Sequence, residues 1–126
     1  MQDRGWWLGG ALSGALVVAA GAFGAHALEG QLTPRLVAAF ETGVRYQAWH
    51  TLALLAVLAW RSASPLAGQR PAMGLWAAGT LLFSGSLYAM ALTGIPGLGM
   101  ITPVGGVLMI LGWLVLAGTV LRAPRA

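Results

Sequence analysis

Cysteine is absent from this chain, and so is lysine. Without cysteine there can be no disulfide, no thiolate nucleophile, no cysteine-ligated zinc and no iron–sulfur cluster. Acidic residues are almost as scarce: Asp3, Glu29 and Glu41 are the whole supply. A carboxylate pair for general acid–base catalysis has little to work with. No nucleophile elbow, phosphate loop, HExxH or dinucleotide fingerprint occurs either. The chain is therefore not expected to be an enzyme, nor to carry a cofactor.

Charge of either sign is also short. Only 8% of the 126 residues are charged, against about 25% in an average soluble domain. Hydrophobic residues make up 58%, and the mean hydropathy is +0.78. Too few charges remain to coat a water-facing surface, so the composition predicts one integral membrane domain over residues 1–126. The net charge of +4 comes from seven arginines that mostly flank apolar runs. That placement suits membrane orientation and lipid headgroups. No basic run with interleaved aromatics points to nucleic acid.

Four apolar stretches approach the roughly 20 helical residues that cross a bilayer: about 6–25, 44–60, 73–92 and 103–121. A cleaved signal peptide is a rival reading of the first, because Arg4 precedes it and "AHA" at 25–27 resembles a cleavage site. The run is longer than a usual signal core and studded with glycine, which favours a retained span. Arg4, Arg61, Arg70, Arg122 and Arg125 fall on one side of this arrangement and Arg35 and Arg45 on the other. The arginine-rich side should be cytoplasmic, with both termini. Trp6, Trp7, Trp60 and Trp76 lie at that level, as an interfacial aromatic belt would.

Thr33 before Pro34 reads as an N-cap followed by proline in the first helical turn. Leu36, Val37, Ala39 and Phe40 then recur at helical spacing, which predicts a short amphipathic surface helix over about 34–43. If it bends before the second span, Gly43 is the least costly place.

A repeat lies beneath this pattern. "GAFGAHALEG" at 21–30 and "GSLYAMALTG" at 85–94 are identical at five of ten positions, and "QLTP" at 31–34 answers "MITP" at 100–103. Each half reads as span, glycine-rich outer loop, Thr-Pro, span. The halves would be parallel, related by a pseudo-twofold along the membrane normal. The expected fold is an all-α compact bundle of four transmembrane helices.

Several polar and small residues stand out. Gly10, Gly14, Gly21 and Gly24 share one side of the first span and predict close helix packing, inside the bundle or against another chain. Glu41 and Arg45, spaced i, i+4, predict an interfacial ion pair. Tyr46 and His50 form a separate polar edge, and His50 should face the bundle rather than lipid. Thr80, Ser84 and Tyr88 make a hydroxyl stripe on the third span, where His50 is expected to find its partner. His26 ends the first span at the same outer level, but two histidines are too few for a closed zinc site, and no metal is expected.

"GAFGAHAL" (21–28), "FETGVRYQAWHTLALL" (40–55), "FSGSLY" (83–88) and "ITPVGG" (101–106) together resemble the YgdD-like family of small inner-membrane proteins. Its mammalian relatives are small mitochondrial transmembrane proteins. The resemblance covers the chain in order and implies a four-span protein of the bacterial inner membrane, without implying an activity. Two functions follow from the residues. One is a structural or accessory component that binds lipid, a membrane-protein partner or a second copy of itself. The other is a conduit or carrier for protons or a small solute along His26, Tyr46, His50 and the third-span hydroxyls, which in so small a bundle would require an oligomer or a crevice.

Overall fold

A computed structural model describes residues 1–125. Four long helices carry the fold: α1 (Arg4–Phe23), α2 (Pro34–Ala63), α3 (Gln69–Thr93) and α4 (Thr102–Arg122). Among the described residues there is no strand, only an isolated bridge between Glu29 and Leu32. Three helical segments, Arg4–Leu28, Gln69–Thr93 and Pro96–Arg122, are long and apolar enough to cross a membrane. α2 is not among them, since its N-terminal half carries Arg35, Glu41, Arg45, Gln47 and His50.

The expected surface helix and second span are one element. α2 begins where Thr33 accepts a hydrogen bond from the Leu36 amide and Pro34 opens the first turn, and it runs unbroken for 30 residues. Gly43 is not a hinge. It is buried against α3, where an added Cβ would meet the Tyr88 ring at 2.8 Å, and its carbonyl accepts a bond from Ser84 Oγ at 2.7 Å.

The matched segments of the repeat end their helices differently. α1 widens into a π-helical turn over Gly24–Leu28, whereas α3 stops at Gly94 before a 3-10 turn over Pro96–Met100. Even so, the equivalent glycines Gly30 (φ 85°) and Gly94 (φ 71°) both take the left-handed backbone that side chains resist.

Packing follows the glycines. Gly10 faces Leu55, Gly14 Thr51, Gly21 Val44 and Gly24 Phe40, which sets α1 and α2 in one antiparallel register along nearly the whole of α1. α3 and α4 approach more closely still. A Cβ on Gly105 would lie 2.6 Å from the Gly79 carbonyl, and one on Gly112 would strike the Trp76 indole at 2.5 Å. The expected compact bundle does not close. α2 packs on α1 and α3, and α3 on α4, but the backbone of α1 approaches neither α3 nor α4 among the described residues. A true pseudo-twofold would pair α4 with α1 as it pairs α2 with α3. Here α1 spends its small side on α2, and its bulky residues Leu8, Leu12 and Leu16 stay exposed.

Candidate functional site

The polar residues of the apolar region converge on one side of α2. Gln47 is the hub. Its Nε2 donates to Ser13 Oγ at 3.0 Å and more weakly to the Ser13 carbonyl at 3.3 Å, while its Oε1 accepts from the Tyr88 hydroxyl at 2.6 Å. Ser13 Oγ also shares a 2.7 Å hydrogen bond with Thr51. One amide thus joins α1, α2 and α3. Neither Gln47 nor Thr51 was singled out from the sequence. Their signal was available, since Gly43, Gln47, Thr51 and Leu54 at helical steps form the buried stripe of α2.

His50 is 6% exposed and lies one turn along from Tyr46. Its Nδ1 bonds the Tyr46 carbonyl at 2.8 Å, and its Nε2 receives the Trp113 indole N–H at 3.0 Å. A carbonyl only accepts and an indole N–H only donates, so these partners place the hydrogen on Nδ1. Both ring nitrogens are engaged. The partner expected on the third span is instead a tryptophan of α4. The hydroxyl stripe is occupied elsewhere: Thr80 faces the Met109 sulfur at 3.9 Å, Ser84 bonds Gly43 and Tyr88 bonds Gln47. Tyr46 packs its ring on Phe83 of α3, centroids 4.6 Å apart.

Three other expectations change. His26 is exposed on the π-helical turn, so it shares no site with the engaged ring of His50. Glu41 and Arg45 are both exposed and do not form an ion pair, because the salt bridges among the described residues belong to Asp3. Trp76 is no interfacial anchor. It is 1% exposed, packed at a tilt against Trp113 with centroids 4.5 Å apart and seated against Gly112. Glycine on α4 removes the side chain that would otherwise hold a ring this large at the surface. The indole N–H of Trp76 is buried without a partner.

Asp3, one of the three acidic residues, is the ionic centre of the opposite end. Arg61 Nε donates to it at 2.9 Å and Arg70 Nη2 at 2.6 Å. The hydrogen bonds from Arg70 lead in holding its carboxyl below the usual carboxylate range; burial opposes them, and the bonds from Arg61 and the charge of both arginines add to them. Asp3 takes φ 59°, a conformation aspartate tolerates better than most residues. Next to it Gln69 braces the α2–α3 turn, accepting from the Leu66 amide and donating to the Ser64 carbonyl.

Between α1 and α3, over the polar side of α2, the open bundle leaves a groove of about 710 Å³. Gly5, Gly9 and Ala20 line one wall, Ala77, Leu81 and Gly85 the other. No charged residue lines it. Among the described residues no group of three metal-binding side chains occurs.

The family model described as a protein of unknown function (DUF423) matches residues 20–106. A UPF0382 membrane protein of Staphylococcus epidermidis is 45% identical over 90% of this chain and 92% of its own length. One of Haemophilus influenzae is 45% identical over 85% and 86%. The UPF0382 inner membrane protein YgdD of Escherichia coli is 40% identical over 99% and 95%. No solved structure matches the chain. With an all-helical fold, three helices apolar enough to cross a bilayer, and likeness over nearly its full length to these relatives, the chain belongs to the DUF423/UPF0382 family of membrane proteins.

Proposed function

We propose that this chain is a four-span protein of the bacterial inner membrane with both termini in the cytoplasm, acting as a structural or accessory component that holds a membrane partner. Two features support the topology. α2 lies antiparallel along nearly the full height of α1, so a bilayer that α1 crosses is crossed by α2 as well. The cluster of Asp3, Arg61 and Arg70 gathers arginines at one end, as the bias of cytoplasmic loops requires.

The observation that carries the accessory role is the closed hydrogen bonding of His50. A proton relay needs a histidine with a ring nitrogen free to pass its proton on. Here one nitrogen is bound to a carbonyl and the other to an indole, neither of which relays protons readily. Gln47, Ser13, Thr51 and Tyr88 likewise satisfy one another. Such a network fixes helix positions, and the Gln47 amide at its centre separates the Tyr88 hydroxyl from those of Ser13 and Thr51.

Gentle extraction from the native membrane at natural abundance, followed by native mass spectrometry, tests this. Co-migration with a larger assembly or a retained membrane component is expected. Proton or solute flux in liposomes that His50→Leu abolishes, with the fold intact, would establish the conduit instead.

A further inference from the structure

We propose that the groove between α1 and α3 binds one anionic phospholipid, an acyl chain lying in the groove and the phosphate resting at its Arg4 end. The inference rests on the accessory reading above and names the partner that the groove holds.

The shape fits a lipid chain. The groove runs along α1 from Gly5 to Phe23, about 27 Å at 1.5 Å per residue, which is ample for an acyl chain that enters at the Gly5 end and spans one leaflet, roughly half of a hydrocarbon core of about 30 Å. Its volume of about 710 Å³ falls within the range of sites that enclose a small apolar ligand. At the mouth, Cβ atoms added to Gly9 or Gly85 would meet nothing, so these glycines are not needed for packing inside the chain. Of the polar side chains beneath, Gln47 is bound to Ser13 and Tyr88, Thr51 to Ser13, Ser84 to the Gly43 carbonyl and His50 to Tyr46 and Trp113, while the unpartnered Trp76 indole N–H lies toward Gly112 of α4. A hydrocarbon chain laid over them strands no donor. A partner helix would find few free polar groups there by which to be recognised.

Charge supplies the selectivity, and it lies at one end. Gly5 and Trp6 line the groove next to Arg4, and Asp3 joins the start of α1 to Arg70 at the start of α3. Arg61 and Arg70 pair with the one carboxylate of Asp3 and Arg4 follows it in the chain, so this end carries two positive charges in excess, and both Arg4 and Arg70 are exposed. A phosphate at that level meets uncompensated guanidinium, which favours an anionic over a zwitterionic headgroup.

The test is native mass spectrometry of the full chain from nanodiscs of equal parts phosphatidylglycerol and phosphatidylcholine. One retained phosphatidylglycerol per chain is expected, at least tenfold over phosphatidylcholine. Arg4→Gln should erase most of that preference while a lipid still binds. Gly9→Leu with Gly85→Leu should fill the groove and lower retention about tenfold, whereas Gly118→Leu, on the far side of α4, should not. If the double variant melts early, Gly85→Leu alone serves. Equal retention of the two lipids by the native chain, or undiminished retention with the groove filled, would overturn the proposal. So would a second copy or another protein's helix cross-linked into the groove, although the accessory role would then stand. His50-dependent flux, by contrast, would remove the accessory role and leave lipid binding to be judged on the retention data.

Discussion

Asp3 shows how one residue can hold an element. It carries the salt bridges that join the start of α1 to α2 and α3. Its carboxyl titrates below the usual range, so it binds a proton more readily unfolded than folded. Its stabilising effect is complete above the ordinary aspartate pKa, about 3.9, and is lost as pH falls through the depressed folded value. Hydrogen exchange of residues 4–12 should accordingly be flat from neutral pH to about 5 and then, after correction for intrinsic rates, rise in acid. Asp3→Asn keeps the shape and the left-handed tolerance but should show the acid level of exchange at neutral pH. At His50 the relevant change is Trp113→Phe, which leaves Nε2 without its donor. Hydrogen bonds between helices in membranes average about 0.6 kcal/mol, and a loss of about 0.5–2 kcal/mol is expected in reversible unfolding from mixed micelles. A double-mutant cycle with His50→Phe should show coupling between the two positions.

At the scale of elements, the glycines divide into those that admit a neighbouring helix and those that do not. Gly105 admits α3 so closely that a Cβ would clash with the Phe83 amide nitrogen. Backbone cannot yield as a side-chain tip does, so Gly105→Ala should cost about 1–3 kcal/mol. Gly118→Ala meets nothing and should be neutral or slightly stabilising through helix propensity. Thermal melts of the two variants in one detergent would check the contrast. The sequence carried part of this division. The glycines of α1 were legible as one side of a helix, because periodicity sets which residues share a face. Gly105 and Gly112 were not, because periodicity does not say which of several small-residue faces is met, or how closely. The same gap hid Gln47: a glutamine in an apolar stretch reads as an irregularity until Ser13 and Tyr88 arrive from other helices to complete it.

For the whole molecule, the absence of cysteine makes topology directly measurable. Single cysteines at Ser64 and Ala123 should label from one side of intact inner-membrane vesicles, and those at Gln31 and Gly97 from the other. Labelling of Ser64 and Gln31 from the same side would remove α2 as a span. The open arrangement is also a property of the whole. α1 is fastened along α2 and by its first residues to α3, leaving the groove between.

By itself the sequence determined the solvent and the helical class, but not that Pro34–Ala63 forms one helix. Charge scarcity decides where a chain can live, hydrophobic run lengths decide how much of it is helix at membrane depth, and Thr33-Pro34 and Gly94 mark the start of α2 and the stop of α3. These are local properties, written within one or two turns. Only the tertiary structure decided that Trp113 rather than a third-span hydroxyl meets His50, that Asp3 rather than Glu41 forms the ion pairs, and that the backbone of α1 stays clear of that of α3. Each of these depends on the distance and rotation between helices far apart in the chain. In an alanine- and glycine-rich sequence many packings suit the same periodicity, and the choice among them is made by ångström-scale contacts that no single segment contains.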